Sequence, residues 1–201
     1  AALALGLCAG YPVGARTAAE LVESGALSRE EGERLLIFCN NAGPGFLLGI
    51  CGGAVFTSPR AGAALYLIHA ASALFTGILL TRRLPPLSAP FSAGAAPRRS
   101  VSLSAALPAA VQGALAGILN VCAFVVFFTV CTRLLLRVLP ESFAFSLPCA
   151  LLIGFFELTS GVTALPPTRA GFLACAALLA WGGLSVHCQT LSALSASALS
   201  A

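Results

Sequence analysis

The sequence predicts an all-α polytopic membrane protein, and three observations carry that prediction. Of the 201 residues, 58% are hydrophobic and only 9% are charged, against about 25% charged in an average soluble domain. Mean hydropathy is +0.95. The apolar residues are also gathered into long runs, divided by short polar or Gly/Pro-rich stretches. A soluble domain of this length could bury a core but would still need a polar surface, which 11 basic and 7 acidic residues do not provide. Composition thus excludes an ordinary soluble enzyme and a disordered chain. The net charge of +4 is too small and too scattered for a nucleic-acid partner. The lipid bilayer is the partner that composition demands.

All the bases are Arg and all the acids are Glu, while Lys, Asp and Met are absent. With no initiator Met and an apolar start at Ala1–Ala9, the sequence reads as an internal fragment without a signal peptide. The 8 Cys include no C-x-x-C pair and mostly sit in apolar runs, so they read as small buried hydrophobes.

Residues 1–15 are apolar but interrupted by Gly10-Tyr11-Pro12-Val13-Gly14. Residues 16–34 form a polar excursion that holds most of the acids. Within it Gly25 suits a helix stop, and Ser28-Arg29-Glu30-Glu31 has capping-box spacing, with Ser28 as N-cap and Glu31 at N3. Leu35 to Phe56 is apolar but broken at Cys39–Gly45, whereas 61–81 is an uninterrupted span closed by Arg82-Arg83. Residues 84–104 are rich in Pro, Ser, Ala and Arg and read as a flexible loop. A second clean span, 105–132, ends at Arg133 and Arg137. Residues 143–165 are broken at Glu157–Gly161, and 170–191 at Gly182–Ser185. The tail 192–201 contains only Ser, Ala and Leu and carries no signal.

Two broken segments and a whole span, a basic loop, then a whole span and two broken segments make an internal repeat. The expected organisation is a first repeat at 1–81, a cytoplasmic basic linker at 82–104, a second repeat at 105–191 and a low-complexity tail at 192–201. Gly/Pro-interrupted apolar segments in matching positions of two halves point to a transporter site. Irregular backbone at mid-membrane must line a cavity or be buried in protein, and half-helix N-termini there favour anions. With the tips of two re-entrant hairpins set at Tyr11–Gly14 and Leu158–Gly161, Arg29, Arg34, Arg82, Arg83, Arg98 and Arg99 share one face. Arg60, Arg133, Arg137 and Arg169 share the other, a bias that places 82–104 in the cytoplasm.

Four motifs stand out in order: Gly10-Tyr11-Pro12-Val13-Gly14-Ala15-Arg16, Phe38-Cys39-Asn40-Asn41-Ala42-Gly43-Pro44, Phe156-Glu157-Leu158-Thr159-Ser160-Gly161, and Gly182-Gly183-Leu184-Ser185-Val186-His187-Cys188-Gln189. Together they resemble the sporulation integral membrane proteins of the YlbJ (SpoVV) family, over about residues 1–191. The first two look like the nucleoside-recognition, or Gate, domain. The resemblance implies an inverted repeat of re-entrant hairpins and broken helices, similar to that of concentrative nucleoside transporters. It also implies movement of dipicolinic acid from the mother-cell cytoplasm across the outer forespore membrane. Arg16 keeps the basic residue the family usually has after Gly-Ala, Cys188 stands where a small residue is common, and the family's amino-terminal helices and last helix are missing.

Individual residues leave alternatives open. Glu157 is the one acid deep in an apolar segment, where a charge costs about 2.5–3.5 kcal/mol on insertion scales. It carries protons, contacts a polar substrate, or bonds the hairpin backbone, and Thr159 and Ser160 can serve either role. Arg16 either meets a carboxylate ligand or reaches the interface and caps a helix end. Asn40 and Asn41 either bind a polar ligand or satisfy carbonyls freed by Pro44. Ser185 and Gln189 share a helix face and His187 does not. A Ser185, His187 and Glu157 triad is rejected for want of a G-x-S-x-G elbow. His69 and Trp181 read as packing residues, although Trp181 could also stack on an aromatic ligand. The G-x-x-x-G pairs Gly6/Gly10, Gly10/Gly14, Gly45/Gly49, Gly49/Gly53 and Gly113/Gly117 read as helix-packing contacts. The expected substrate-binding set is therefore Tyr11, Arg16, Asn40, Asn41, Glu157, Thr159, Ser160, Ser185 and Gln189. The expected ligand is a small anionic substrate. No cofactor, metal or catalytic residue is expected, since no phosphate-loop or dinucleotide spacing is present. A homo-oligomer remains open. A nucleoside or other small anion is the alternative cargo, and a membrane scaffold for spore assembly is the alternative of another class.

Overall fold

A computed structural model describes residues 2–87, 102–195 and 197–199, and the described residues are helical throughout with turns between. In chain order the helices are α1 (Ala2–Ala9), α2 (Val13–Glu23), α3 (Arg29–Cys39), a π-helix (Gly45–Val55), α4 (Pro59–Arg83), α5 (Leu103–Leu136), α6 (Glu141–Ala144), α7 (Leu147–Phe156), α8 (Leu158–Thr163), α9 (Arg169–Trp181) and α10 (Gly183–Leu194). Three helical stretches are long and apolar enough to cross a membrane: α4, α5 and the α9–α10 unit Arg169–Leu194. None of the most apolar stretch of α5 is buried inside the protein, and only 11% of that of α4. Leu67, Phe75, Leu107 and Phe127 stand on these outer faces, each more than half exposed. Lipid is the solvent such faces require, and the chain is an integral membrane protein.

Local chemistry sets the ends of these elements. Ser28 accepts from the Glu31 backbone N–H at 3.2 Å while Glu31 accepts from the Ser28 N–H at 2.8 Å, the expected capping box. The chain enters α3 after Gly25, whose φ of +68° favours glycine. Ser58 caps α4 ahead of Pro59, and Arg82 and Arg83 complement the dipole of its last turn. Arg34 is paired with Glu30 at 2.6 Å and also donates to the Pro85 carbonyl. The α2–α3 turn and the end of α4 therefore lie at the same end of the bundle.

Four breaks interrupt the apolar helices. The chain doubles back at two of them. Seven residues along a continuous helix would separate Gly154 from Gly161 by about 10 Å, yet a Cβ on Gly161 would overlap the Gly154 backbone. A Cβ on Gly6 would likewise stand 3.3 Å from the Gly14 Cα, and the Cys39 carbonyl is seated between these two glycines. The resulting hairpins, α1–α2 and α7–α8, have arms of 8 and 11 and of 10 and 6 residues, no longer than about 16 Å at 1.5 Å per residue. None of these arms spans a hydrocarbon core of about 30 Å alone.

The main core joins the π-helix, α4, α7, α8 and α9 through Leu47, Cys51, Leu65, Ala150, Leu158, Val162, Cys175 and Leu179. A smaller core holds Ala15, Ala18, Ala19 and Cys39 against Leu194 and Leu199.

Several expectations change. The hairpin tips are Gly10–Pro12 and Glu157 alone, because helices restart at Val13 and Leu158. The fourth break narrows to Gly182 and Gly183, with φ of +83° and +80°. Helices α4 and α5 extend past the expected spans, and Pro108 lies inside α5. Most of the basic linker, residues 88–101 with Arg98 and Arg99, lies outside the described residues. In the tail, Leu194, Ser197 and Leu199 are buried, and Leu199 packs where Gly32 leaves room. Of the expected packing glycines, Gly45 and Gly49 meet nothing, and the π-helix instead meets α4 at Gly52 and Gly62, which approach backbone to backbone. Gly113 and Gly117 face the Arg16 side chain. Cys39, Cys51, Cys149 and Cys175 are buried, whereas Cys8 and Cys122 are exposed.

Gly161→Ala is expected to lower the melting temperature by several degrees, since overpacking costs about 1–3 kcal/mol. Gly45→Ala, with open space at its Cβ position, should leave it unchanged or raise it. Thermal unfolding of the detergent-purified protein compares the two.

Candidate functional site

The breaks are positioned in contact with one another. A Cβ on Gly10 would stand 2.9 Å from the Gly43 N, so the first break lies directly on the second. A Cβ on Gly183 would stand 3.0 Å from the Leu158 N, so the fourth lies on the third. Glycine is required at each contact because a side chain would separate the backbones.

Between them lies a central cavity of about 210 Å³. Gly10 and Tyr11 line it from the first break, Ala42, Gly43, Gly45 and Phe46 from the second, and Glu157, Leu158 and Thr159 from the third. Val186 and Gln189 of α10, with Val121 and Val125 of α5, complete the wall. The fourth break opens instead on a second cavity of about 260 Å³, bordered by Tyr11, Asn40, Trp181, Gly182, His187 and Thr190. A groove of about 700 Å³ runs between α2 and α5 past Arg16, Glu20, Gly113 and Gly117.

Glu157 is 1% exposed and extended, with φ −135° and ψ 111°. Its Oε1 accepts from the Thr159 N–H at 3.0 Å and its Oε2 from the Ser160 N–H at 2.7 Å. The carboxylate thereby caps α8 and satisfies two N–H groups that have no partner within the helix. That cap lets α8 restart one residue after α7 ends. In contrast, α2 and the π-helix begin after Pro12 and Pro44 with no side-chain cap. The positive dipole end of the π-helix adjoins the central cavity, and that of α2 opens on the groove.

Tyr11, Glu157, Thr159 and Gln189, four of the expected binding residues, meet at the central cavity. Asn40 lies in the second cavity, its Nδ2 donating to Thr190 Oγ1 at 2.8 Å and its Oδ1 buried without a partner among the described residues. Arg16 lies in the groove, where its Nε bonds Glu20 at 2.9 Å and its Nη1 bonds the Gly113 carbonyl at 2.9 Å. The glycines of α5 make space for this guanidinium, so it does not reach the central cavity. Asn41, Ser160 and Ser185 line none of the three spaces. Asn41 donates to the Phe38 carbonyl at 2.8 Å, Ser160 gives its N–H to Glu157, and Ser185 Oγ accepts from Gln189 Nε2 at 3.0 Å.

Other residues matter that sequence reasoning set aside or missed. His69 Nε2 accepts from the Ala42 N–H at 3.1 Å, holding the second break from α4. No spacing rule connects positions 42 and 69. Trp181 stacks on Phe155 with centroids 5.0 Å apart and donates from Nε1 to the Phe155 carbonyl at 3.0 Å. His187 Nε2 lies 3.0 Å from the Trp181 carbonyl, a group released by the fourth break. Thr190, Val121 and Val125 carry no sequence signal beyond apolar or helical character.

No protein-family model, curated protein or solved structure matches the chain.

Glu157→Ala is expected to cost about 0.5–2 kcal/mol through loss of the α8 cap, and Glu157→Gln less, because an amide oxygen still accepts. Melting temperatures of the two variants beside wild type measure the difference.

Proposed function

We propose that the chain forms the binding core of a sporulation membrane transporter that moves dipicolinic acid across the outer forespore membrane. The observation that carries the transport reading is the meeting of three helix breaks, near positions 11, 43 and 157, around one cavity within an apolar bundle. Irregular backbone is costly in a membrane and is tolerated where it lines a cavity or is buried in protein. A scaffold for spore assembly has no need of it.

The two short-armed hairpins support an inverted repeat: α1–α2, the α3/π-helix pair and α4 on one side, with α7–α8 and the α9/α10 pair on the other. Dipicolinate and sporulation come from the four-motif resemblance to the YlbJ family. Two features support a small anion. The uncapped start of the π-helix adjoins the cavity, and that of α2 opens on the neighbouring groove, where Arg16 is paired with Glu20. The volume of about 210 Å³ lies below the range of about 300–1,000 Å³ usual for drug-sized ligands.

A second reading, a neutral polar solute of nucleoside type, has its own observation. Among the described residues Glu157 is the one acidic or basic side chain lining the central cavity, and the Gln189 amide lines it too.

Uptake by proteoliposomes containing the full chain tests these readings. Saturable dipicolinate flux that falls at least tenfold in Gln189→Ala, with the melting temperature kept, is the expected result. Nucleoside flux without dipicolinate flux would favour the second cargo. No flux of either would overturn transport.

A further inference from the structure

Among the described residues, Tyr11 is the one that lines the central cavity, the second cavity and the α2–α5 groove. We infer that its ring is the movable partition between these three spaces, so that a solute passes from one to the next by displacing it. The inference rests on the transport reading and assigns a gating residue within it.

Four observations carry it. Ala9 and Val121 border both the groove and the central cavity, and Val186 borders both the central and second cavities, so the spaces adjoin at Tyr11. The ring packs against the edge of the main core, but its polar tether is weak: its hydroxyl donates to the Leu179 carbonyl at 3.4 Å, against about 2.7–2.8 Å for a typical O–H···O bond. Gly182, with no side chain, leaves space beside the ring: a Cβ there would stand 3.6 Å from the Tyr11 hydroxyl. The space beyond the ring also holds polar capacity that the fold does not use. Asn40 Oδ1 is a buried acceptor without a partner among the described residues, on the wall of the second cavity. An unmade bond to a buried acceptor is costly unless something enters to satisfy it. The Gln189 amide lines the central cavity on one side of the ring and Asn40 the second cavity on the other, so a polar side chain faces each space.

The test needs no substrate. Thr159→Cys places a thiol on the central cavity of the full chain in lipid nanodiscs. The probe is sulfonatoethyl methanethiosulfonate, an anionic thiol reagent, with labelling at position 159 read by peptide mass spectrometry. Adding Tyr11→Ala is expected to raise the labelling rate at least tenfold, and adding Tyr11→Trp to leave it at or below the Thr159→Cys level. Cys39 and Cys149, both 0% exposed, report folding in the same spectra and should stay unlabelled. If Tyr11→Ala exposes them, Tyr11→Leu replaces it and is read by the same rule. Labelling within twofold of the parent in the folded small-residue variant would overturn the partition. Wild-type flux is measured separately, so loss of the transport reading and loss of the partition are distinct results.

Discussion

Backbone N–H and C=O groups released at a helix break have no water to turn to inside an apolar bundle, and the arrangement of this chain follows from how they are satisfied. Each break has its own solution. At the third, Glu157 folds its carboxylate back onto two N–H groups of its own chain. At the second, help comes from outside: His69 on α4 takes the Ala42 N–H, while Asn41 donates to the Phe38 carbonyl at the end of α3. At the fourth, His187 reaches back to the Trp181 carbonyl. At the first, the Val13 N–H closes a turn on the Gly10 carbonyl at 3.0 Å. Polar side chains in this membrane interior are therefore used first to make broken backbone tolerable, and only those left over can face a solute.

That division explains how much of the site the sequence disclosed. The breaks themselves were legible, because Gly, Pro and Asn interrupt apolar runs in a way that no continuous helix tolerates. Glu157 was legible as an isolated acid, and the structure adds that both its oxygens are engaged by its own hairpin. Asn41 and Ser185 carry the same chemistry as Asn40 and Gln189, and sequence cannot separate those that brace backbone from those that line a cavity. Arg16 was placed near a ligand on charge alone. Its position depends on the bare surface that Gly113 offers across 97 residues of chain, a tertiary contact with no local signature. His69 was unreadable for the same reason.

The fold was more legible than the site. Whole spans, capping box and polar excursion follow from hydropathy and capping chemistry, which act over a few residues. Hairpin tips were misplaced by a few residues because an acidic cap can restart a helix at once, as Glu157 does. Gly6, Gly10 and Gly14 do pack closely, whereas the pairs Gly45/Gly49 and Gly49/Gly53 were misassigned because G-x-x-x-G spacing assumes α-geometry. The segment holding Gly45, Gly49 and Gly53 is wound as a π-helix, with the Phe56 N–H bonded to the Cys51 carbonyl five residues back. Wider winding changes which residues share a face, so Gly52 rather than Gly49 meets α4.

The stacking of Trp181 on Phe155, beside His187 at the fourth break, has a spectroscopic consequence. The chain contains a single tryptophan, so all of its indole fluorescence originates at this one junction. Trp181 also borders the second cavity. An event that fills that cavity or straightens the Gly182 turn would alter the polarity and ring neighbours sensed by the indole. Emission wavelength and intensity thus give the native chain a built-in optical report on the α9–α10 joint, without an attached dye.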